Sequence, residues 1–287
     1  MKQEPDSYFY LSYLHWQTRA LNLGHFVCSH QLQDEPQYWF VRGPWPVEVL
    51  RFFAEDPQWW ERAREYHRRL ESGGVRCLVY GQPDYPQDFL QLDQPPLVLT
   101  YMGSSHWTQG GHLAVVGSRN LSGDSRSWLE KNLRLLFAER EVLVLSGGAR
   151  GTDQVAHSLC LRSERPTAVF LPSGILNPYP QQIGDWYSGV LAGGGSIVSP
   201  FAPWERMQKQ NFHQRNHLIA SLSKVVLAVD ACRRSGTMIT ARAAMNYGRT
   251  VAVLPGHPNS EQGLGGLDLV YDGATPLRDH VDLAGLL

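Results

Sequence analysis

From residue 112 onward, six short runs of aliphatic and β-branched residues recur at regular intervals. They are HLAVVGS (112–118), EVLVLSGG (141–148), PTAVFLPS (166–173), GSIVSPF (195–201), KVVLAVDA (224–231) and TVAVLPG (250–256). Near-continuous apolar runs are what strands buried on both faces require. Helix-like stretches separate them. Asp124 to Arg140 puts Trp128, Leu129, Leu133, Leu136 and Phe137 on one side, and Thr152 to Arg162 does the same with Val155, Ala156 and Leu159. Thr237 to Tyr247 is rich in alanine. Strands alternating with helices imply right-handed crossovers, so the pattern predicts an α/β protein with a doubly wound, mostly parallel sheet.

The first 110 residues read differently. They hold six of the nine tryptophans, Trp16, Trp39, Trp45, Trp59, Trp60 and Trp107, with helical pieces at Val47 to Phe53 and Gln58 to Leu70. A chain of 287 residues suits one large domain and a smaller one. We expect a small, mainly helical, Trp-rich domain over residues 1–70, a boundary near Glu71 to Gly74, and a sheet domain over 71–287. The tryptophans read as core rather than as a ligand platform. Two more strand-like runs, RCLVYG (76–81) and LVLTYMG (97–103), are expected to extend the main sheet at its edge. The start, MKQEPDSYFY, is polar, and no long apolar run follows, so neither a signal peptide nor a membrane span is expected. Cys28, Cys77, Cys160 and Cys232 lie far apart without CxxC spacing, which fits reduced thiols in a cytoplasmic protein.

Net charge is −1, but it is unevenly spread. Residues 1–110 carry nine basic against thirteen acidic side chains, and residues 111–287 carry seventeen against fourteen. A weakly basic second part can hold a local cationic groove, since phosphate attraction depends on nearby charge. Only four of the 26 basic residues are lysine. Arginine suits bidentate phosphate contact.

In a doubly wound sheet, ligands sit beyond the carboxyl ends of the strands, where strand order reverses. The first run ends in Gly117-Ser118-Arg119, offering close backbone approach, a hydroxyl and a guanidinium. The second ends in Ser146-Gly147-Gly148-Ala149-Arg150-Gly151-Thr152-Asp153 and opens a helix, an arrangement whose free amides and dipole suit an anion. Thr152 or Asp153 is the expected helix cap. The glycine spacing is neither G-x-G-x-x-G nor a Walker loop, which weighs against NAD binding and ATP hydrolysis; no cofactor is expected. Ser235-Gly236-Thr237 opens a further helix.

The stretch KQNFHQRN (209–216) sets Phe212 between Lys209 and Arg215, with side-chain amides at Gln210, Asn211, Gln214 and Asn216. Several anion-friendly loops along one rim suit successive phosphates, and single-stranded nucleic acid is held by cations along its backbone and an aromatic ring under a base. The alternative is that Phe212 packs on the core at the start of its helix. His213 and His217 stand four apart, a spacing more often solvated than metallated.

The ordered set GSR, SGGARGTDQVAH, PSGILNPYP, Lys209 three before Phe212, RNHLIASLS, SGTMITARAAMNYGR, VLPGH and LVYDGA resembles the DNA-processing protein A family, also called DprA or Smf. The likeness spans about residues 75–280. It implies an extended Rossmann fold, binding of single-stranded DNA, a homodimer, and loading of the RecA recombinase in natural transformation, without catalysis. The family's DNA contacts fall here on Ser118 and Arg119, the loop from Ser146 to Ala149, Lys209, Phe212 and Arg215, with Asn216 as an addition. His213 stands where the family has proline, leaving that turn less fixed. Gly265 stands where it has asparagine, which would remove a hydrogen bond. No C-terminal winged-helix module is expected.

A rival from another class is a nucleotide hydrolase of the lysine-decarboxylase-like group. That group needs a glutamate soon after Gly-Thr, and here Gly151-Thr152 is followed by Asp153-Gln154-Val155. Asp153 is the one candidate acid. His157 lies four residues further along the same helix, which disfavours a triad with a serine nucleophile. A third reading is a sensor that binds a small nucleotide on the same rim.

Overall fold

The computed structural model describes residues 7–19, 45–181 and 184–287. Trp39 and Cys28 lie outside them. The chain divides into two compact units, one of residues 1–85 and 95–102, the other of 86–94 and 103–287.

In the first unit, helices α1 (Ser7–Thr18), α2 (Val47–Glu55) and α3 (Trp59–Ser72) precede β1 (Arg76–Val79) and β2 (Val98–Gly103), which pair antiparallel. The aromatic side chains face inward. Tyr10 meets Trp59 edge-on at 5.8 Å, Phe53 lies 5.4 Å from Trp59, and Phe9 meets Trp16 at 6.2 Å. Trp16, Trp45 and Trp59 are buried, as expected of core residues. Trp60 is half-buried.

The second unit is the α/β body. Its elements are β3 (His112–Gly117), α4 (Gly123–Glu139), β4 (Val144–Ser146), α5 (Thr152–Arg162), β5 (Thr167–Phe170), α6 (Gly184–Ala192), β6 (Ser196–Ser199), α7 (Asn211–Leu222), β7 (Ser223–Val229), α8 (Gly236–Asn246), β8 (Thr250–Val253), α9 (Glu261–Tyr271), β9 (Thr275–Pro276) and α10 (His280–Leu286). Strand order is β6-β5-β4-β3-β7-β8-β9, every neighbour parallel. The chain builds outward from β3 to β6, then returns beside β3 and builds the other way. Each of the six apolar runs is a strand. β3 and β7 are central, and Leu113 to Val116 and Val225 to Val229 are buried along their length. That is why both read as continuous apolar runs rather than alternating ones.

α4 shows how pattern becomes packing. Ser122 caps it by accepting from the amide of Ser125 at 3.2 Å. Leu129, Leu133 and Leu136, at helical spacing, are fully buried with Phe137 against β3, β4 and α5. Burying one leucine contributes about 1.5–3 kcal/mol, and truncating Leu133 to alanine would cost about 2–5 kcal/mol. Trp107, also buried, meets Phe170 edge-on at 5.7 Å. Cys160 and Cys232 are free thiols. No helix among the described residues is long and apolar enough to cross a membrane.

Candidate nucleic-acid interface

Strand order reverses between β3 and β7, so the loops after these two strands flank the crevice where ligands sit in such folds. Asp230, in the left-handed region at φ 48°, ties the two loops together. Its carboxylate accepts from the amide of Ser122 at 2.7 Å and the hydroxyl of Ser125 at 2.6 Å. A hollow of about 590 Å³ opens there.

One wall is the first turn of α7. Phe212, Arg215 and Asn216 stand at i, i+3 and i+4, so one helix face presents all three. Phe212 is half-buried and lines the hollow. The guanidinium carbons of Arg119 and Arg215 lie 5.6 and 5.7 Å from its ring centroid, within cation–π reach. Tyr179 meets the same ring edge-on at 5.9 Å and stays 36% exposed. Lys209 is exposed at the rim.

Arg215 is the buried centre of the site, only 4% exposed. Its guanidinium occupies the space where a side chain on Gly147 would begin, so glycine is required there. Burial lowers its pKa to about 10, against the pull of Asp153; it stays charged at neutral pH. Its Nε has no hydrogen-bond partner among the described residues. Burial raises the Asp153 pKa, against the opposing pull of Arg215 and of the amides it accepts. A buried cation needs such a counter-charge.

Asp153 corrects two expectations. The cap of α5 is Gly151, not Thr152 or Asp153. The Asp153 carboxylate turns back and accepts from the amides of Gly147 and Ala149, each at 3.2 Å. These amides are therefore not free for a ligand: an internal carboxylate already fills the cradle. Thr152 donates its hydroxyl to the carbonyl of Ser118 at 3.1 Å.

The hollow brings together Gly117, Ser118, Arg119, Ala149, Lys209, Phe212, Arg215, Asn216, Ser235, Gly236 and Thr237. Ser235 caps α8 by accepting from the amide of Met238 at 3.4 Å. Asn216 reaches the carbonyl of Gly236 at 3.5 Å. Ser146 is fully buried and donates to the carbonyl of Val115 at 2.6 Å, so it supports the loop from within. Gly148 is buried behind the loop at φ 68°. Gly147 and Arg150 line a second, adjoining hollow of about 350 Å³ that shares Arg119, Ala149, Tyr179, Phe212 and Arg215 with the first. Asn211 is buried and donates to Glu205 at 3.1 Å, so unlike exposed Gln210 and Gln214 it does not face a ligand. His217 pairs with the Tyr247 hydroxyl at 2.6 Å. Tyr179 and Asp230 were not singled out by sequence reasoning. An aromatic residue between two prolines beyond the third run was the available signal for Tyr179.

The two departures have local explanations. His213 sits exposed within α7, whose first turn is helical without a proline. A β-carbon on Gly265 would fall 2.4 Å from the carbonyl oxygen of Ala231, so α9 packs directly on the loop after β7 and leaves no room for an asparagine.

Fold and cleft together define a Rossmann-type α/β protein with a cationic, aromatic-walled crevice at its strand-order reversal. The chain belongs to the DNA recombination-mediator protein A family, whose pattern it matches over residues 76–286. It is 34% identical over 214 residues to Protein Smf of Synechocystis sp., covering 73% of this chain and 53% of that one. It spans about half the length of the curated Smf relatives that it matches. DNA processing protein A of Streptococcus pneumoniae shares the fold, with a TM-score of 0.77 and 23% identity over 98% of both chains. The Helicobacter pylori protein, described for its single-stranded DNA binding mode, aligns with a TM-score of 0.65 and 26% identity, covering 74% of this chain and 94% of that one.

Proposed function

We propose that this protein binds single-stranded DNA in the crevice around Phe212 as a non-catalytic recombination mediator. The observation that carries this reading is the ring itself. It is half-buried, walled by Tyr179, and held within 6 Å of two guanidiniums, one of them buried. A base covers the open part of the ring, while Arg119, Lys209 and Arg215 meet phosphates. Gly117, Ser118, Ala149, Asn216, Ser235, Gly236 and Thr237 shape the surrounding wall, and Ser146, Gly147, Gly148 and Arg150 set its loop. Membership of the family supports this reading, as does the single-stranded DNA binding described for the H. pylori relative.

Asp153 bears on the rival hydrolase. It borders the crevice, but its carboxylate is only 6% exposed and is engaged by two backbone amides of its own loop. A general base must instead reach its substrate. The finer reading is that the protein works in the cytoplasm as a homodimer, protects incoming DNA and loads RecA onto it during natural transformation.

A titration with single-stranded, duplex and RNA oligonucleotides, beside a nucleotide-hydrolysis blank, tests the core of this. Single strands should bind tightest, with a log–log salt slope of about −2 if three cations meet phosphates at about 0.7 each. A slope near zero, or release of free base from a nucleotide, would end the reading. RecA filament assembly on protein-coated DNA and the mass of the assembly in solution test the loading and dimer steps.

A further inference from the structure

The crevice around Phe212 has a more basic neighbour in the second unit. The crevice lining includes Arg119, Lys209 and Arg215, but also Asp153 and Asp230. A neighbouring groove of about 390 Å³ is lined by Arg119, Arg126, Arg150 and Arg162, with no acidic residue among its described lining and with Trp186 at its side. Its floor is one face of α5, where Gln154, Ser158 and Arg162 follow at four-residue steps. Arg126 reaches across from α4, and Trp186 from α6.

These arginines keep most of their donors available. A guanidinium has five N–H groups. Arg150 gives one to the Asn120 side chain at 3.2 Å, and Arg162 gives one to the carbonyl of Ser158 at 3.3 Å. Arg126 is half-exposed, and Glu130 stands 3.9 Å from it, a surface pair of small energy. Four like charges around one hollow repel one another, and a row of phosphates relieves that repulsion.

The groove also adjoins the crevice. Arg119 lines the crevice, the adjoining hollow and the groove alike, and Arg150 lines the last two. We propose that a strand seated over Phe212 runs on past Arg119 into this groove, where Arg126, Arg150 and Arg162 hold its further phosphates and Trp186 stacks one of its bases. This rests on the single-stranded DNA reading above. The protein then has a two-part track with Arg119 at the junction, and grips a long strand more tightly than a short one.

Oligothymidylates of about six and about twenty residues, end-labelled for anisotropy, separate the two parts. In the full chain, the double variant Arg126→Gln, Arg162→Gln should bind the short probe as the wild type does. It should bind the long one about tenfold more weakly, with a salt slope shallower by about 1.4, for two phosphates at about 0.7 each. Trp186→Ala should weaken the long probe alone, and Trp186→Phe should restore it. Unchanged binding of the long probe by the double variant, or equal weakening of both probes, overturns the proposal. If Arg119→Ala abolishes binding of both probes while the double variant changes neither, the crevice reading stands and the groove falls. If the wild type binds neither probe, both fall.

Discussion

The guanidinium of Arg215 rests directly on Gly147: a β-carbon there would lie 1.1 Å from Nη1. The glycine after β4 thus makes room for a cation from α7, 68 residues later in the chain. A Gly147→Ala variant must push Arg215 off its seat. We expect at least about a tenfold loss of single-stranded DNA affinity and a fold destabilised by about 1–3 kcal/mol from overpacking. A binding titration and a urea melt read the two effects, and wild-type values in both would contradict the seating of Arg215.

Asp153 supplies the opposite charge. An Asp153→Ala change leaves Arg215 buried without a counter-charge and strips the amides of Gly147 and Ala149 of their acceptor. The expected cost is about 1–3 kcal/mol, the usual penalty for leaving a buried amide without its acceptor. Asp153→Asn keeps an acceptor oxygen and should lose less. Chemical denaturation of the two variants ranks them, and equal losses would mean that shape rather than charge matters at this position.

Phe212 and Tyr179 should separate binding from folding. Each keeps part of its ring at the crevice. Phe212→Ala is expected to cost about 1–3 kcal/mol in single-stranded DNA affinity, Tyr179→Ala a comparable or smaller amount, and Phe212→Trp little. The effect should be alike for different base sequences, since every base has a stacking face. If Phe212→Ala instead lowers the melting temperature and leaves affinity intact, the ring belongs to the core.

His157 predicts a pH dependence of stability. It is fully buried on α5, with Nδ1 2.7 Å from the Thr167 hydroxyl, and burial lowers its pKa to about 3 from an ordinary 6.5. Thr167 donates to the carbonyl of Val144 at 2.8 Å, so the imidazole Nδ1–H is the donor in the pair. Between these two pKa values the unfolded chain binds a proton that the folded one does not. His157 therefore imposes no penalty above about pH 6.5, and stability falls as pH drops toward 3, by up to about 1.4 kcal/mol per pH unit. His157→Gln should flatten that acid limb. Melts from pH 7 to pH 4 check it, and identical limbs in the two proteins would remove His157 as the cause.

Much of this was legible in the chain. Six apolar runs became six parallel strands because composition alone reports whether both faces of a strand are buried, and α4, α5 and α8 formed where their apolar periodicity and flanking residues indicated. The face shared by Phe212, Arg215 and Asn216 follows from helical spacing once α7 begins at Asn211. What tertiary structure alone decided is how each charged or aromatic group is used. Asp153 could have faced a ligand or its own loop, and only the path of the chain through residues 147–153 turned it inward. Arg215 reads as a surface cation until α7 lays it on Gly147. Tyr179 and the groove of Arg126, Arg150, Arg162 and Trp186 exist because crossovers bring α4, α5 and α6 together. Periodicity tells which side of an element is apolar, but a side chain's electrostatic partner depends on what packs opposite, and that is set by segments distant in sequence.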